Sequence, residues 1–336
     1  YRLGLSLGLS ALLSAVMLSG WAHQSVAAFG GQLVRFLGFD NILLFVAVVM
    51  LLFFTEALNR TGRMQRTVDA LKRWVKHTRA LYVGLPALVG LLPMPGGALF
   101  SAPLVDSVDA DSTLDGPHKV ALNYWFRHMW EYWWPLYPGV ILAIRYTGLP
   151  AALYFALLFP LSIASFAGGY FFILRSIAPA VRPAHERRFD PGLIVSALGP
   201  ILFLVMITVG GSVVLPHTGL DSAYVNLTAL IIGLICAYVP VALDDRKAFF
   251  GSLAMFGRKK FWNLLLVVMG VQFFSTVIVF PLDIQGATLV WHMRDELFSL
   301  GIPLLAIIVA IPFVSGFITG IAFAFVGASF PLIFAL

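Results

Sequence analysis

This chain is dominated by apolar runs too long for a soluble core and free of charge along their length. Every side chain from Ile42 to Phe54 is apolar, and no residue from Tyr146 to Leu174 or from Gly301 to Leu336 is charged. About 20 apolar residues cross a hydrocarbon core ~30 Å thick, so such runs specify helices that satisfy their own backbone hydrogen bonds in a bilayer. Of the 336 residues 60% are apolar and 11% charged, which excludes a soluble globular enzyme. Membrane β-barrel strands alternate apolar and polar residues over ~10-residue segments, and continuous apolar runs exclude them too. The net charge of +6 is clustered between the apolar runs, where it orients helices, and implies no nucleic-acid partner. The single cysteine, Cys236, lies in an apolar segment and leaves no intramolecular disulfide.

Full crossings are expected at residues 3–22, 41–58, 118–145, 150–174, 191–214, 222–243 and 262–282. Two further apolar stretches are interrupted. Residues 80–108 are broken at Pro93-Met94-Pro95-Gly96-Gly97, where the prolines lack a donor and clash with the preceding turn. Residues 301–336 are broken at Ser315-Gly316-Phe317-Ile318-Thr319-Gly320. Both are expected to be re-entrant helical hairpins; for the first, one proline-kinked crossing is the alternative. Charge separates the two. If the basic segment Arg60 to Arg79 is cytoplasmic, a hairpin keeps the segments Arg175 to Arg188 and Arg246 to Lys260 on that same side, as the positive-inside bias favours. A full crossing puts both outside. The acidic loop of Asp106, Asp109, Asp111 and Asp115 favours the opposite answer mildly, but acidic residues carry little topogenic weight.

A shift of about 220 residues brings the spans at 3–22 and 41–58 onto 222–243 and 262–282, and the first break onto the second. The connection at 59–79 is basic, whereas its counterpart at 283–300 holds Asp283, Arg294, Asp295 and Glu296. Two copies of one pattern in opposite orientations, each with an interrupted helix, are the signature of an inverted-repeat secondary transporter. The expected fold is an all-α polytopic membrane protein, with a first repeat over 1–174, a cytoplasmic linker at 175–190 and a second repeat over 191–336. Symmetry leads us to expect one further helix before residue 1 and further crossings after residue 336. It also makes residues 3–22 a structural helix rather than a signal peptide.

The run Leu92-Pro93-Met94-Pro95-Gly96-Gly97-Ala98-Leu99-Phe100-Ser101-Ala102-Pro103, followed by Asn123-Tyr124-Trp125-Phe126-Arg127-His128-Met129-Trp130-Glu131, resembles domain-of-unknown-function family 401. Ser315 to Gly320 and Gly327-Ala328-Ser329-Phe330-Pro331 resemble that family's second signature. These are prokaryotic membrane proteins grouped with the ion-transporter superfamily, whose members carry gluconate, citrate and dicarboxylates. The resemblance implies a two-hairpin elevator architecture, a homodimer and the prokaryotic cytoplasmic (inner) membrane. It does not imply a substrate.

Interrupted helices place half-helix ends at membrane depth, where N–H groups favour an anion and unwound carbonyls a cation. The expected substrate-binding residues at the first tip are Pro93, Pro95, Gly96, Gly97 and Ser101; at the second they are Ser315, Gly316, Thr319, Gly320 and Ser329. Small residues also serve plain helix packing, which is the competing reading of each. On an ideal helix Asn123, Tyr124, Arg127, His128 and Glu131 share one arc. Asn123 and Arg127 are expected to hold the anion, with His128 or Glu131 exchanging a proton; an i,i+4 ion pair of Arg127 with Glu131 is the bland alternative. Trp125, Trp130, Trp133 and Trp134 read as an aromatic belt, and Glu56, Arg145 and Asp283 as interfacial residues. Asn226, Gln272 and Ser275 read as interhelical hydrogen-bond partners. The leading expectation is a transporter of a small anionic solute, needing no cofactor and coupled to Na⁺ or H⁺. A lipid-linked anion flippase and an intramembrane enzyme using His128 and Glu131 are the alternatives, although no HExxH, GxSxG or P-loop motif is present.

Overall fold

The computed structural model describes residues 25–92, 97–109, 113–180, 191–281, 288–320 and 322–334, with isolated positions before residue 25. The described residues form helices and no strand. Among the described residues fifteen α-helices follow in chain order: α1 (Ser25–Phe36), α2 (Phe39–Arg60), α3 (Arg63–Trp74), α4 (Thr78–Gly90), α5 (Gly97–Asp106), α6 (Gly116–Arg127), α7 (Pro138–Thr147), α8 (Ala151–Phe172), α9 (Pro191–Val214), α10 (Ser222–Asp244), α11 (Arg246–Gly251), α12 (Lys259–Ile278), α13 (Leu289–Ser299), α14 (Leu304–Thr319) and α15 (Ala322–Ile333).

Among the described residues five helical segments are long and apolar enough to cross a membrane: Phe39–Arg60, Ala151–Ser176, Leu198–Thr218, Ser222–Asp244 and Lys259–Ile278. They coincide with five of the seven expected crossings; the one at 3–22 lies outside the described residues. The crossing at 118–145 needs correction. It is two half-helices, α6 and α7, separated by an unwound segment from His128 to Tyr137. The cause is chemical: Pro135 and Pro138 cannot donate to the preceding turn, and Pro138 is placed instead in the first turn of α7, where a missing N–H costs nothing.

Side-chain bonds fix the directions of the elements. Arg258 pairs with Glu56 at 3.1 Å at one end of the bundle, and Gln272 donates to Asn41 at 2.8 Å towards the other, so α2 and α12 run antiparallel. Arg63 and Arg66 both pair with Asp244, and Arg79 donates to the carbonyls of Arg175 and Ile177. Arg63, Arg66 and Arg79 after α2, Arg175 after α8 and Arg258 after α10 therefore lie at one end of the molecule. Lys72 donates to Ser107 at 2.6 Å, which brings the end of α5 back to the level where α4 begins. Thus α4 and α5, which pack together, form a helical hairpin whose base faces the basic end. The order of long helix, short helix and two short helices about a break occurs twice, in α2–α5 and in α12–α15.

The core lies where these elements meet. Leu44, Leu51 and Phe54 of α2, Leu81 and Leu85 of α4, Leu122 and Phe126 of α6, Leu142 of α7 and Leu204 of α9 are fully buried in one cluster. α9 and α10 pair closely: Gly211 faces Ala229 and Gly233 faces Leu204, where a Cβ would come within 3 Å of the neighbour. α15 lies between α12 and α7, with Gly327 against Val271 and Ser275 donating to the Gly327 carbonyl at 2.6 Å.

Candidate functional site

The unwound segment between α6 and α7 joins the two helix breaks. On one side it holds the end of α4. Trp130 donates to the Ala87 carbonyl at 2.8 Å, Tyr137 to Gly90 at 2.6 Å and Trp134 to Leu91 at 2.9 Å. The Leu88 and Val89 carbonyls accept from Leu91 and Leu92 N–H. The end of α4 that helix geometry leaves without partners is thereby satisfied, and its carbonyls face donors rather than a cation. On the other side, the Cβ position of Gly139 is 3.1 Å from the backbone of Ala322 and Phe323, the first residues of α15. Tyr137 therefore touches the helix end that precedes the first break, and Gly139 the helix start that follows the second.

Contacts further along set the polarity of these ends. Gly139, Leu142 and Tyr146 meet Ala322, Gly327 and Phe330 in sequence, so α7 and α15 are parallel and their N-termini coincide. Gly90 of α4 meets the carbonyl of Arg127, so the C-termini of α4 and α6 coincide as well. Paired N-termini attract an anion and paired C-termini a cation, which suits Arg127 in the last turn of α6. The approach at Gly90 requires glycine: a Cβ there would overlap the Arg127 carbonyl oxygen.

Arg127 and Asn123 lie on the buried side of α6 at 8% and 7% exposure, and Ser101 of α5, packed against α6, is fully buried. His128 and Glu131 do not share the helical arc expected of them, because the helix ends at Arg127. They open the unwound segment instead. His128 Nδ1 lies 2.6 Å from the Tyr124 carbonyl, which can only accept, so Nδ1 carries the proton and Nε2 faces Arg127 Nη1 at 3.3 Å. Glu131 Oε1 stands 3.7 Å from His128 Nε2, so Arg127, His128 and Glu131 form one charged cluster at the end of α6. The acidic loop below is locked: Lys119 reaches Asp106 at 3.1 Å and Asp109 at 3.0 Å. Burial pushes the Asp109 carboxyl up, but hydrogen bonds from Thr113, Lys119 and the Leu114 and Thr113 backbone outweigh it and hold it at about 2.

At the first tip Pro93, Pro95 and Gly96 lie outside the described residues, and Gly97 opens α5. The second tip is corrected. Ser315, Gly316 and Thr319 are helical, and the break falls at Gly320, left-handed at φ 61°. Ser315 donates to the Pro312 carbonyl and Thr319 to Ser315, while Ser329, fully buried, donates to Phe325 within α15. Of the second set, only Gly320 stands at the junction.

Other expectations change with the geometry. All four tryptophans donate inward: Trp125 to the Ser165 carbonyl, Trp133 to Ser162, and Trp130 and Trp134 to α4. Trp130, Trp133 and Trp134 fasten the unwound segment to the end of α4 and to α8, whereas Trp125, on α6, stays 38% exposed. Arg145 pairs with Asp40 and donates to Asn41 at 2.7 Å instead of reaching freely to an interface. Asn226, by contrast, is the interhelical partner expected of it: it accepts from Ala151 N–H, donates to the Leu149 carbonyl and ties α10 to the start of α8. Sequence reasoning missed Gly90, Tyr137 and Gly139; the two prolines at 135 and 138 were the available signal for the unwinding around them.

The profile of the family described as "Protein of unknown function (DUF401)" matches residues 4–336. The chain belongs to this family. No curated protein and no solved structure matches it. The match takes in both breaks and the unwound segment of this DUF401 protein.

Proposed function

We propose that this DUF401 protein is a secondary active transporter of a small anionic solute, coupled to Na⁺ or H⁺ and working by an elevator movement. The observation that carries the proposal is the meeting of two interrupted helical elements and an unwound segment at one place, with Arg127 buried beside it. Such half-helix ends at membrane depth are how transporters hold charged solutes without dedicated polar helices. The antiparallel directions of α2 and α12 and the recurring element order support an inverted repeat with re-entrant hairpins. In this reading α4–α7 with α14 and α15 carry the solute and α9 and α10 are static. The protein acts as a homodimer in a prokaryotic inner membrane, without enzymatic activity or cofactor.

The test is thermal stability of the purified chain with gluconate, citrate, succinate or phosphate, in Na⁺ or with choline replacing it, at two pH values. A ligand of the folded state adds RT ln(1 + [L]/Kd), about 2.7 kcal/mol at a hundred times Kd. We expect one anion class to stabilise, with Na⁺ or proton dependence naming the coupling ion. Arg127→Gln should lose both this response and uptake in proteoliposomes while remaining folded; full uptake by that variant removes Arg127 from the site. A flippase for a lipid-linked anion is the second reading. In its favour is an open apolar groove of about 680 Å³ between α9 and α10, lined by Phe203, Cys236 and Pro240 with Arg63 at one end. Stabilisation by an isoprenoid phosphate and by none of the four anions would select it.

A further inference from the structure

A cavity of about 270 Å³ lies between α7, α8, α9 and α10, on the face of α7 turned away from α15. Gly139, Leu142 and Tyr146 of α7 meet α15, whereas Ile141, Ile144 and Arg145 line the cavity. Its walls are graded. Towards the end of the molecule opposite the basic loops it is lined by Arg145 at the end of α7 and by Ser222 and Asn226 at the start of α10. Deeper, the lining is Ile141, Phe155 and Leu230, and Pro135 of the unwound segment. The size is at the lower end for small-molecule pockets, and a mostly apolar lining with a few convergent polar groups is their usual composition.

Arg145 supplies the chemistry. Two of the five N–H donors of its guanidinium are engaged, one by Asp40 and one by Asn41. Those partners belong to the start of α2 and hold the group in place without using its remaining donors. A fixed guanidinium at the polar end of an apolar cavity matches a carboxylate or phosphate oxyanion, which it can bind through two parallel hydrogen bonds. We propose that this cavity is a second ligand site, for an aliphatic oxyanion: a negatively charged head at Arg145 on a short hydrocarbon tail reaching towards Pro135. The tail gains by leaving water, and the head is positioned by charge rather than by the helix ends at the breaks. The site is independent of the solute path proposed above and stands whether or not the protein transports.

The probe is radiolabelled octanoate, bound to the full chain in phosphatidylcholine nanodiscs. Saturable binding is expected, with octanol and octyltrimethylammonium competing at least tenfold more weakly than unlabelled octanoate. Arg145→Gln should weaken octanoate at least tenfold. Leu230→Trp, which fills the apolar end, should abolish binding, and Ala223→Leu serves the same purpose at the wall of α10 if the tryptophan variant does not fold. Native mass spectrometry separates the two sources of this chemistry: a phosphatidylglycerol retained by the wild type, lost in Arg145→Gln and displaced by octanoate, identifies the head as a lipid's. Without such a lipid, the ligand is a free carboxylate. Octanol competing as well as octanoate, wild-type binding by Arg145→Gln, or binding kept by a folded cavity-filling variant would each overturn the proposal.

Discussion

The two broken elements are alike in sequence and unlike in support. In the first, α4 is buried from Leu85 to Gly90, its end is capped by three side chains of the unwound segment, and its base is tied by Lys72 and Ser107. In the second, Ile307 is the buried residue of α14, while Phe313, Phe317 and Ile318 are more than two-thirds exposed. Among the described residues the hydroxyls of Ser315 and Thr319 bond to carbonyls of α14 itself. The second element is therefore held through one arm, α15, which is wedged between α12 and α7. A helix break by itself creates ends that need partners; the surrounding helices decide whether those ends become rigid.

Substitutions at the glycines bear on this contrast most strongly. Gly90→Ala sets a methyl group against the Arg127 carbonyl, backbone against backbone, and should cost about 3 kcal/mol or prevent folding. At the second break Gly320→Ala meets open space, and only the left-handed backbone opposes it, at about 1–2 kcal/mol. Melting midpoints of the two variants in one detergent give the ranking; equal losses would mean that the breaks are equally supported.

Removing single caps should come next. Tyr137→Phe leaves the buried Gly90 carbonyl of α4, and Trp134→Phe the half-buried Leu91 carbonyl just after it, without a donor; each should cost about 1–3 kcal/mol by the same measurement. Thr319→Val removes a bond within one helix and should cost distinctly less. A comparable loss for Thr319→Val would sink the idea that only the first end is clamped.

Acid should act on the first element alone. The Asp109 carboxyl is held at about 2, below its ordinary 3.8, so its bonds to Thr113 and Lys119 contribute in full above the ordinary range and are lost as pH falls from about 4 towards 2. Residues 301–336 carry no charged side chain and have no counterpart to this lock. Wild-type stability, followed by tryptophan fluorescence, should fall across that window, and Asp109→Asn should flatten the fall. An unchanged slope in the variant would remove Asp109 as the cause. The smallest effect is expected at Phe317, 84% exposed, where Phe317→Ala should move the midpoint by no more than about 0.5 kcal/mol.

Much of the fold was legible because bilayer length and charge act on the sequence directly. Five described helices long and apolar enough to cross a membrane follow from apolar length, and Arg66, Arg79, Arg175 and Arg258 gather at one end. The site was less legible. Periodicity alone joined His128 and Glu131 to the arc of Arg127, although Pro135 and Pro138 already argued against a continuous helix there. Ser315 and Gly316 read as a break because small residues look alike whether they end a helix or sit within one; the turn falls at Gly320, where φ is positive.

Local chemistry thus determined where helices can exist and where they must stop, since prolines, glycines and uncharged runs act within a few residues of themselves. Which ends meet was decided only by the folded chain. The tryptophans could equally have faced lipid, and Arg145 could have reached an interface; an indole N–H or a guanidinium takes whichever acceptor packing brings within reach. Tertiary structure supplied the carbonyls of α4 to the first and Asn41 to the second, because these partners lie more than 40 residues away in the chain and no local pattern records them.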